Sequence, residues 1–164
     1  MKIFAGWLVM ALGFYVLQSS FLPLIYFHGI GPDLLLLLTI SYAFLKGNKQ
    51  GSFMGFLLGL FEDLASGSFF GVNTFIYMLL GFGCGTFSNR VLRDSFFLPI
   101  VASCTATMAS YCFHELIIVL LGYGFYPLAH IQMKLLPMLC YNLIFAWPVH
   151  VMVHRMDQYL AKKK

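Results

Sequence analysis

The sequence predicts an all-α integral membrane protein, a bundle of six transmembrane helices with both termini in the cytoplasm, and three observations point to it. Of 164 residues, 60% are hydrophobic and only 10% charged, against roughly 45–50% and 25% in a soluble domain. The apolar residues fall in long runs without a helical or alternating period, so no polar face is left for water. The basic residues are scattered among the breaks between those runs and the tail Lys162–Lys164. A closed β-barrel does not fit, because its strands alternate lipid-facing and lumen-facing residues, whereas Leu34–Leu38 and Phe56–Leu60 are almost unbroken apolar runs.

A hydrocarbon core of about 30 Å takes about 20 residues per helix, so six helices use roughly 120 residues. What is left makes short loops and two tails, with no room for a soluble catalytic or nucleic-acid-binding domain. The reading is a single transmembrane domain over residues 1–164, with spans at about 3–27, 33–45, 51–66, 71–88, 96–122 and 135–155. Lys2 and the run after it imitate a signal peptide, but the run continues to Phe27 with no Ala-x-Ala site, which predicts an uncleaved first span. Gly29, Gly31 and Pro32 turn the chain into the second span. Asp33 opens it, where a carboxylate satisfies free backbone N–H groups and meets the positive end of the helix dipole. Lys46–Gln50 divides the second span from the third, and Gly67–Phe70 divides the third from the fourth, where Gly81 and Gly85 offer a close-packing face. Asn89–Ser95 precedes the fifth span, which carries Glu115. Tyr123–Lys134 precedes the sixth, where Asn142 is placed to bond across to another helix and Pro148 to kink its own.

Charge sets the orientation. With the N-terminus inside, Lys2, Lys46, Lys49, Arg90, Arg93, Arg155 and Lys162–Lys164 are cytoplasmic, and Lys134 alone is outside. The net charge of +4 therefore reads as topology, not as a nucleic-acid surface. Trp7 falls at the inner aromatic belt, and Tyr26, Tyr123 and Tyr126 at the outer one. Carboxylates do the opposite: Asp33, Glu62, Asp63 and Glu115 share the outer zone, with Asp94 and Asp157 inside. The second and third spans reach only about 20 and 24 Å at about 1.5 Å per residue. Either the membrane thins there, or their outer ends stop below the surface and leave Asp33, Glu62 and Asp63 around a recess.

In the third span Gly51, Gly55, Gly59, Asp63 and Gly67 follow one another at i+4, a spacing that lets a second helix backbone approach closely. Two roles fit Asp63. It is a structural carboxylate bonded to Ser66, Ser68 or Asn73 to pin the turn into the fourth span, or it is a ligand, proton or partner site. Glu62, about 100° round the helix, points toward the headgroups. His114-Glu115 lacks the second histidine of a zinc protease, because Ile118 stands there. His150 and His154 have metal spacing but no third ligand, and read as interfacial histidines. Cys84, Cys104, Cys112 and Cys140 lie in apolar stretches and read as buried thiols. With no nucleophile elbow and no Walker loop, the reading is non-enzymatic, without cofactor or metal.

The segment Gly55–Val72, GFLLGLFEDLASGSFFGV, resembles the signature of the MreD family of bacterial rod shape-determining membrane proteins. A glycine-spaced helix there ends in an acid, then Ser-Gly and a later Gly, here Asp63, Ser66, Gly67 and Gly71. Pro32-Asp33 with its leucine run, Glu115, and Asn142 with Trp147-Pro148 also resemble the family's pattern. The resemblance implies an inner-membrane, multi-pass scaffold subunit of the cell-elongation machinery, supporting peptidoglycan synthesis along the side wall. Its implied partners are MreC, the RodA glycosyltransferase, its penicillin-binding transpeptidase and the MreB filament. The implied fold is similar to the substrate-binding subunits of energy-coupling-factor vitamin transporters, which leaves such a small-molecule transport subunit as the alternative. Those subunits dock through an Ala-x-x-x-Ala face on the first helix, whereas here Ala5 is followed by Val9 and Ala11 by Tyr15. On the scaffold reading, Asp63 with Ser66 and Gly67 holds the outer turn so that the bundle offers MreC one defined surface.

Overall fold

The computed structural model describes residues 2–26, 29–67, 70–88, 97–122 and 131–162. Among them are six α-helices: α1 (Lys2–Val16), α2 (Leu34–Lys46), α3 (Asn48–Ser66), α4 (Val72–Ser88), α5 (Phe97–Leu120) and α6 (Leu136–Lys162). A π-helical turn at Leu17–Phe21 and a 3-10 turn at Leu22–Ile25 prolong α1, and a second π-helical turn at Ile131–Leu135 leads into α6. The helical stretches Gly6–Ile25, Ile100–Leu120 and Met133–Lys162 are long and apolar enough to cross a membrane, while Leu34–Lys46 and Val72–Phe87 are apolar but shorter.

The leucine run is the centre of the molecule. Leu34–Leu38 and Ile40 are at most 1% exposed, because α2 packs against α1, α3, α4, α5 and α6. A helix apolar all round is one covered all round. Its length of about 20 Å is matched to protein at both ends: Asn142 meets the Asp33 N–H at 2.8 Å, and Asp157 pairs with Lys46. The third helix is longer than its apolar run suggests. It starts at Asn48, because Gly47 alone makes the turn from α2, and its 19 residues reach about 28 Å. The last helix likewise continues beyond residue 155 to Lys162.

Outer helices bury small or polar residues and turn large apolar ones outward. In α5 the buried side includes Ser103, Thr107 and Ser110, while Val101, Met108 and Leu116 are exposed. In α6 Asn142 and Ala146 are buried, while Leu143, Ile144 and Trp147 are exposed. Water would penalise that exterior and hydrocarbon would not, and helices in hydrocarbon gain from small and polar residues between them. Along α1 the buried stripe is Trp7, Ala11 and Phe14, with Trp7 edge-on to Tyr42 at 4.7 Å and Tyr15 edge-on to Phe61 at 5.0 Å.

Two expectations change. Trp7 is 5% exposed and belongs to the α1–α2 contact, not to an aromatic belt; one ring partner in Tyr42 is enough to draw it inward. Cys112 and Cys140 are exposed on the bundle surface rather than buried, since a thiol facing hydrocarbon gives up no hydrogen bond worth keeping. The belt residues Tyr123 and Tyr126, the inner-loop residues Arg90, Arg93 and Asp94, and Ser68 lie outside the described residues.

Candidate functional site

At the end of the bundle where α2 begins and α3 ends, hydrogen bonds join polar groups from every layer. Asp63, 2% exposed, stands one turn beyond Gly59 on the face of α3 that meets α4. That face is glycine for a steric reason. A Cβ on Gly59 would lie 2.5 Å from the Asn73 carbonyl oxygen, one on Gly55 would run into the Tyr77 carbonyl, and one on Gly51 would lie 2.7 Å from the Gly81 carbonyl. The contact runs through four successive i+4 positions although each step drifts about 40° on a straight helix, so the two antiparallel helices wind about each other.

Asp63 then caps α4 from outside that helix. Its Oδ2 accepts from the N–H of Gly71 at 2.9 Å, the N–H of Thr74 at 3.0 Å and the Thr74 hydroxyl at 2.6 Å, and its Oδ1 accepts from the N–H of Asn73 at 3.1 Å. The first backbone N–H groups of a helix have no partner within it. A carboxylate there also meets the positive dipole end, so an acid that gains nothing at the end of its own helix is favoured by the start of the next. The turn needs Gly67 and Gly71, whose φ of +64° and +96° strain any side chain with a Cβ.

Asp33 does the same for α2 from within the helix, accepting from the Leu36 N–H at 2.9 Å. Its carboxylate also takes the Tyr77 hydroxyl at 2.7 Å, joining α2 to α4. Its own N–H donates to Asn142 Oδ1 at 2.8 Å, and Asn142 Nδ2 donates to Thr107 Oγ1 at 2.9 Å, so one amide links α2, α5 and α6. Gln18, in the π-helical turn after α1, accepts from the Leu34 N–H at 2.8 Å and reaches Glu62 Oε1 at 3.5 Å. Glu62 is the loose member: its Oε2 is buried without a hydrogen-bond partner. His114 Nε2 lies 3.0 Å from Asn73 Oδ1, and Lys134 approaches the 5% exposed Glu115 at 3.7 Å.

Of the residues singled out from sequence, Asp33 and Asn142 bond to each other, Gly59, Asp63 and Gly71 converge on the start of α4, and Pro32 adjoins Asp33. Ser66 and Gly67 close α3. Glu115 and Pro148 lie apart, the first beside Lys134 and the second within α6 toward the basic end. Gln18, Thr74, Tyr77 and Thr107 were not singled out. A hydroxyl or amide inside an apolar run was the only available signal for them. Glu62 does not face the headgroups, because the π-helical turn carries Gln18 over it. Asp33 and Asp63, expected around a recess if the second and third spans stop below the surface, are bonded to helix N-termini and to Tyr77 and Thr74. Among the described residues, no group of three or more His, Cys, Asp or Glu is placed to hold a metal ion.

Replacing Asn142 by leucine, which has as many side-chain heavy atoms, should cost about 2 kcal/mol, because it leaves the Asp33 N–H without its acceptor in the interior and removes the bond to Thr107. A lowered midpoint on heating in detergent, followed by gel filtration, is the measurement; an unchanged midpoint would mean the amide joins nothing of consequence.

A family model described as MreD, rod shape-determining protein MreD, matches residues 1–160. No curated protein and no solved structure matches the chain.

Proposed function

The chain belongs to the MreD family of rod shape-determining proteins, and from that premise we propose that it is a non-enzymatic scaffold of the cell-elongation complex, holding MreC in the inner membrane. The observation that carries this reading is the use made of the intramembrane acids. A carboxylate in a span marks an ion pathway, a ligand or a fixed structure. Asp63 spends both oxygens on three donors of α4 and the Gly71 N–H just before it, and Asp33 spends its own on α2 and Tyr77. Groups so engaged hold a shape rather than turn over a substrate.

On this reading the six helices are the six spans, in an arrangement akin to the binding subunits of energy-coupling-factor transporters. Both termini are cytoplasmic. Support comes from the ends of the bundle: Lys46, Lys49, Arg155 and Lys162 gather at one, while Lys134 sits with Glu115 at the other. The outward apolar residues of α5 and α6 then meet lipid or the spans of neighbours. MreC is the direct partner, with RodA, its transpeptidase and the MreB filament in the same assembly.

Affinity recovery of the tagged full-length chain from native membranes tests this. MreC should be the principal co-purifying protein; recovery instead of an ATPase module with a small bound molecule would favour a transport subunit.

A further inference from the structure

Two cavities, one at the basic end of the bundle and one running along α1 and α3, take no part in the network around Asp33 and Asp63. One is an apolar groove of about 300 Å³ between Leu8 and Leu12 of α1 and Met54, Leu57 and Phe61 of α3. The other, of about 330 Å³, is lined by Tyr42, Lys46, Gln50 and Asp157. Trp7 lines both, so the groove and the polar mouth adjoin at its ring.

We propose that groove and mouth together hold one phospholipid with an ethanolamine headgroup, its phosphate on Lys46, its ammonium on Asp157 and one acyl chain along α1 and α3. The inference rests on the membrane-embedded reading above.

The charges in the mouth select the headgroup. Lys46 and Asp157 form an ion pair there, with side chains 32% and 23% exposed. A purely anionic headgroup would draw Lys46 away and leave Asp157 with nothing in return. A headgroup carrying both signs supplies a partner to each, and the Gln50 amide adds a donor for phosphate or ester oxygen.

Dimensions select a lipid over a helix. From Met54 to Phe61 the groove follows about 10 Å of α3. That suits part of an acyl chain, whereas a partner helix would need a face of about 30 Å. Its mouth lies at the end carrying Lys46, Lys49 and Arg155, where basic side chains meet headgroups.

The experiment is native mass spectrometry of the purified full-length protein in detergent, titrated with dioleoyl phosphatidylethanolamine or dioleoyl phosphatidylglycerol. One phosphatidylethanolamine should be retained about tenfold more tightly than phosphatidylglycerol. Asp157→Asn should abolish that preference, and Leu12→Trp, which fills the groove, should weaken retention of both lipids about tenfold with the gel-filtration profile unchanged. Equal retention of the two lipids by the native protein overturns the proposal, as does unaltered retention by Leu12→Trp. A photo-crosslinker at position 57 that captures a protein helix in native membranes instead of lipid also overturns it. Carbonate extraction separates the two levels of failure. A chain that stays in the pellet but shows no lipid preference sinks the lipid site alone, and a chain released to the supernatant sinks the membrane reading with it.

Discussion

Gly55→Leu should prevent α3 and α4 from closing on one another, and the protein should fail to accumulate in membranes or elute aggregated from detergent. Even the first added atom, a Cβ, runs into the Tyr77 carbonyl, and that obstacle is backbone in the middle of a helix, not a side chain able to swing aside. Overpacking a core costs about 1–3 kcal/mol where side chains can adjust; here the helices must separate along their seam, so the loss should exceed that range. Separation would also carry Tyr77 away from Asp33 and the start of α4 away from Asp63. Gly83→Ala is the matched control. It lies in α4 with nothing within 4 Å of an added Cβ, so replacement should leave the protein as stable or raise stability by up to about 1 kcal/mol through helix propensity. Heating in detergent followed by gel filtration reads both variants. Equal behaviour of the two would show that the glycine seam is not what joins these helices.

Asp63→Ala should cost about 3–5 kcal/mol, since each buried donor left unsatisfied costs about 1–3 kcal/mol. It leaves the N–H groups of Gly71, Asn73 and Thr74 without their acceptor. Asp63→Asn is the more informative change, because it keeps the volume and one acceptor but turns an NH2 toward donors. Its expected cost is about 2 kcal/mol, with membrane insertion intact. If the capped turn presents the surface that MreC recognises, the same variant should recover less MreC and restore rod shape poorly at ordinary expression. Full complementation with normal recovery of MreC would remove Asp63 from the proposed mechanism while leaving the family assignment untouched.

The acid at 63 and the glycines before it were legible because their signal is local. An i+4 repeat of small residues says that something comes close, and a carboxylate that its own helix does not favour says that something else must bond it. What bonds it was legible only in part. Asn73 was one of three candidate partners, but it donates through its backbone, and Thr74, which supplies both an N–H and a hydroxyl, carried no distinguishing mark. Glu62 was misplaced for a related reason. Rotation along α3 gives a direction about 100° from Asp63, but what lies in that direction depends on a π-helical turn in a distant segment that places Gln18 there. Trp7 was misplaced because its belt position rests on depth alone, whereas Tyr42 is a neighbour that only the packing of α1 on α2 creates.

From its own residues the chain determined the all-helical class, the turns at Gly47 and at Gly67 and Gly71, the gathering of basic residues at one end, and which helix would present a glycine face. Each depends on chemistry within a few residues: apolar run length, a glycine that accepts positive φ, a charge that avoids hydrocarbon. Tertiary structure decided that the leucine run is the buried axis rather than a lipid-facing wall, that Asn142 ties three helices, and that Lys46 meets Asp157. In hydrocarbon an apolar side chain is accommodated equally well facing lipid or protein, so apolar sequence carries no information about which face turns inward. That choice falls to polar and small residues, whose partners stand far along the chain and are known only once the helices are packed.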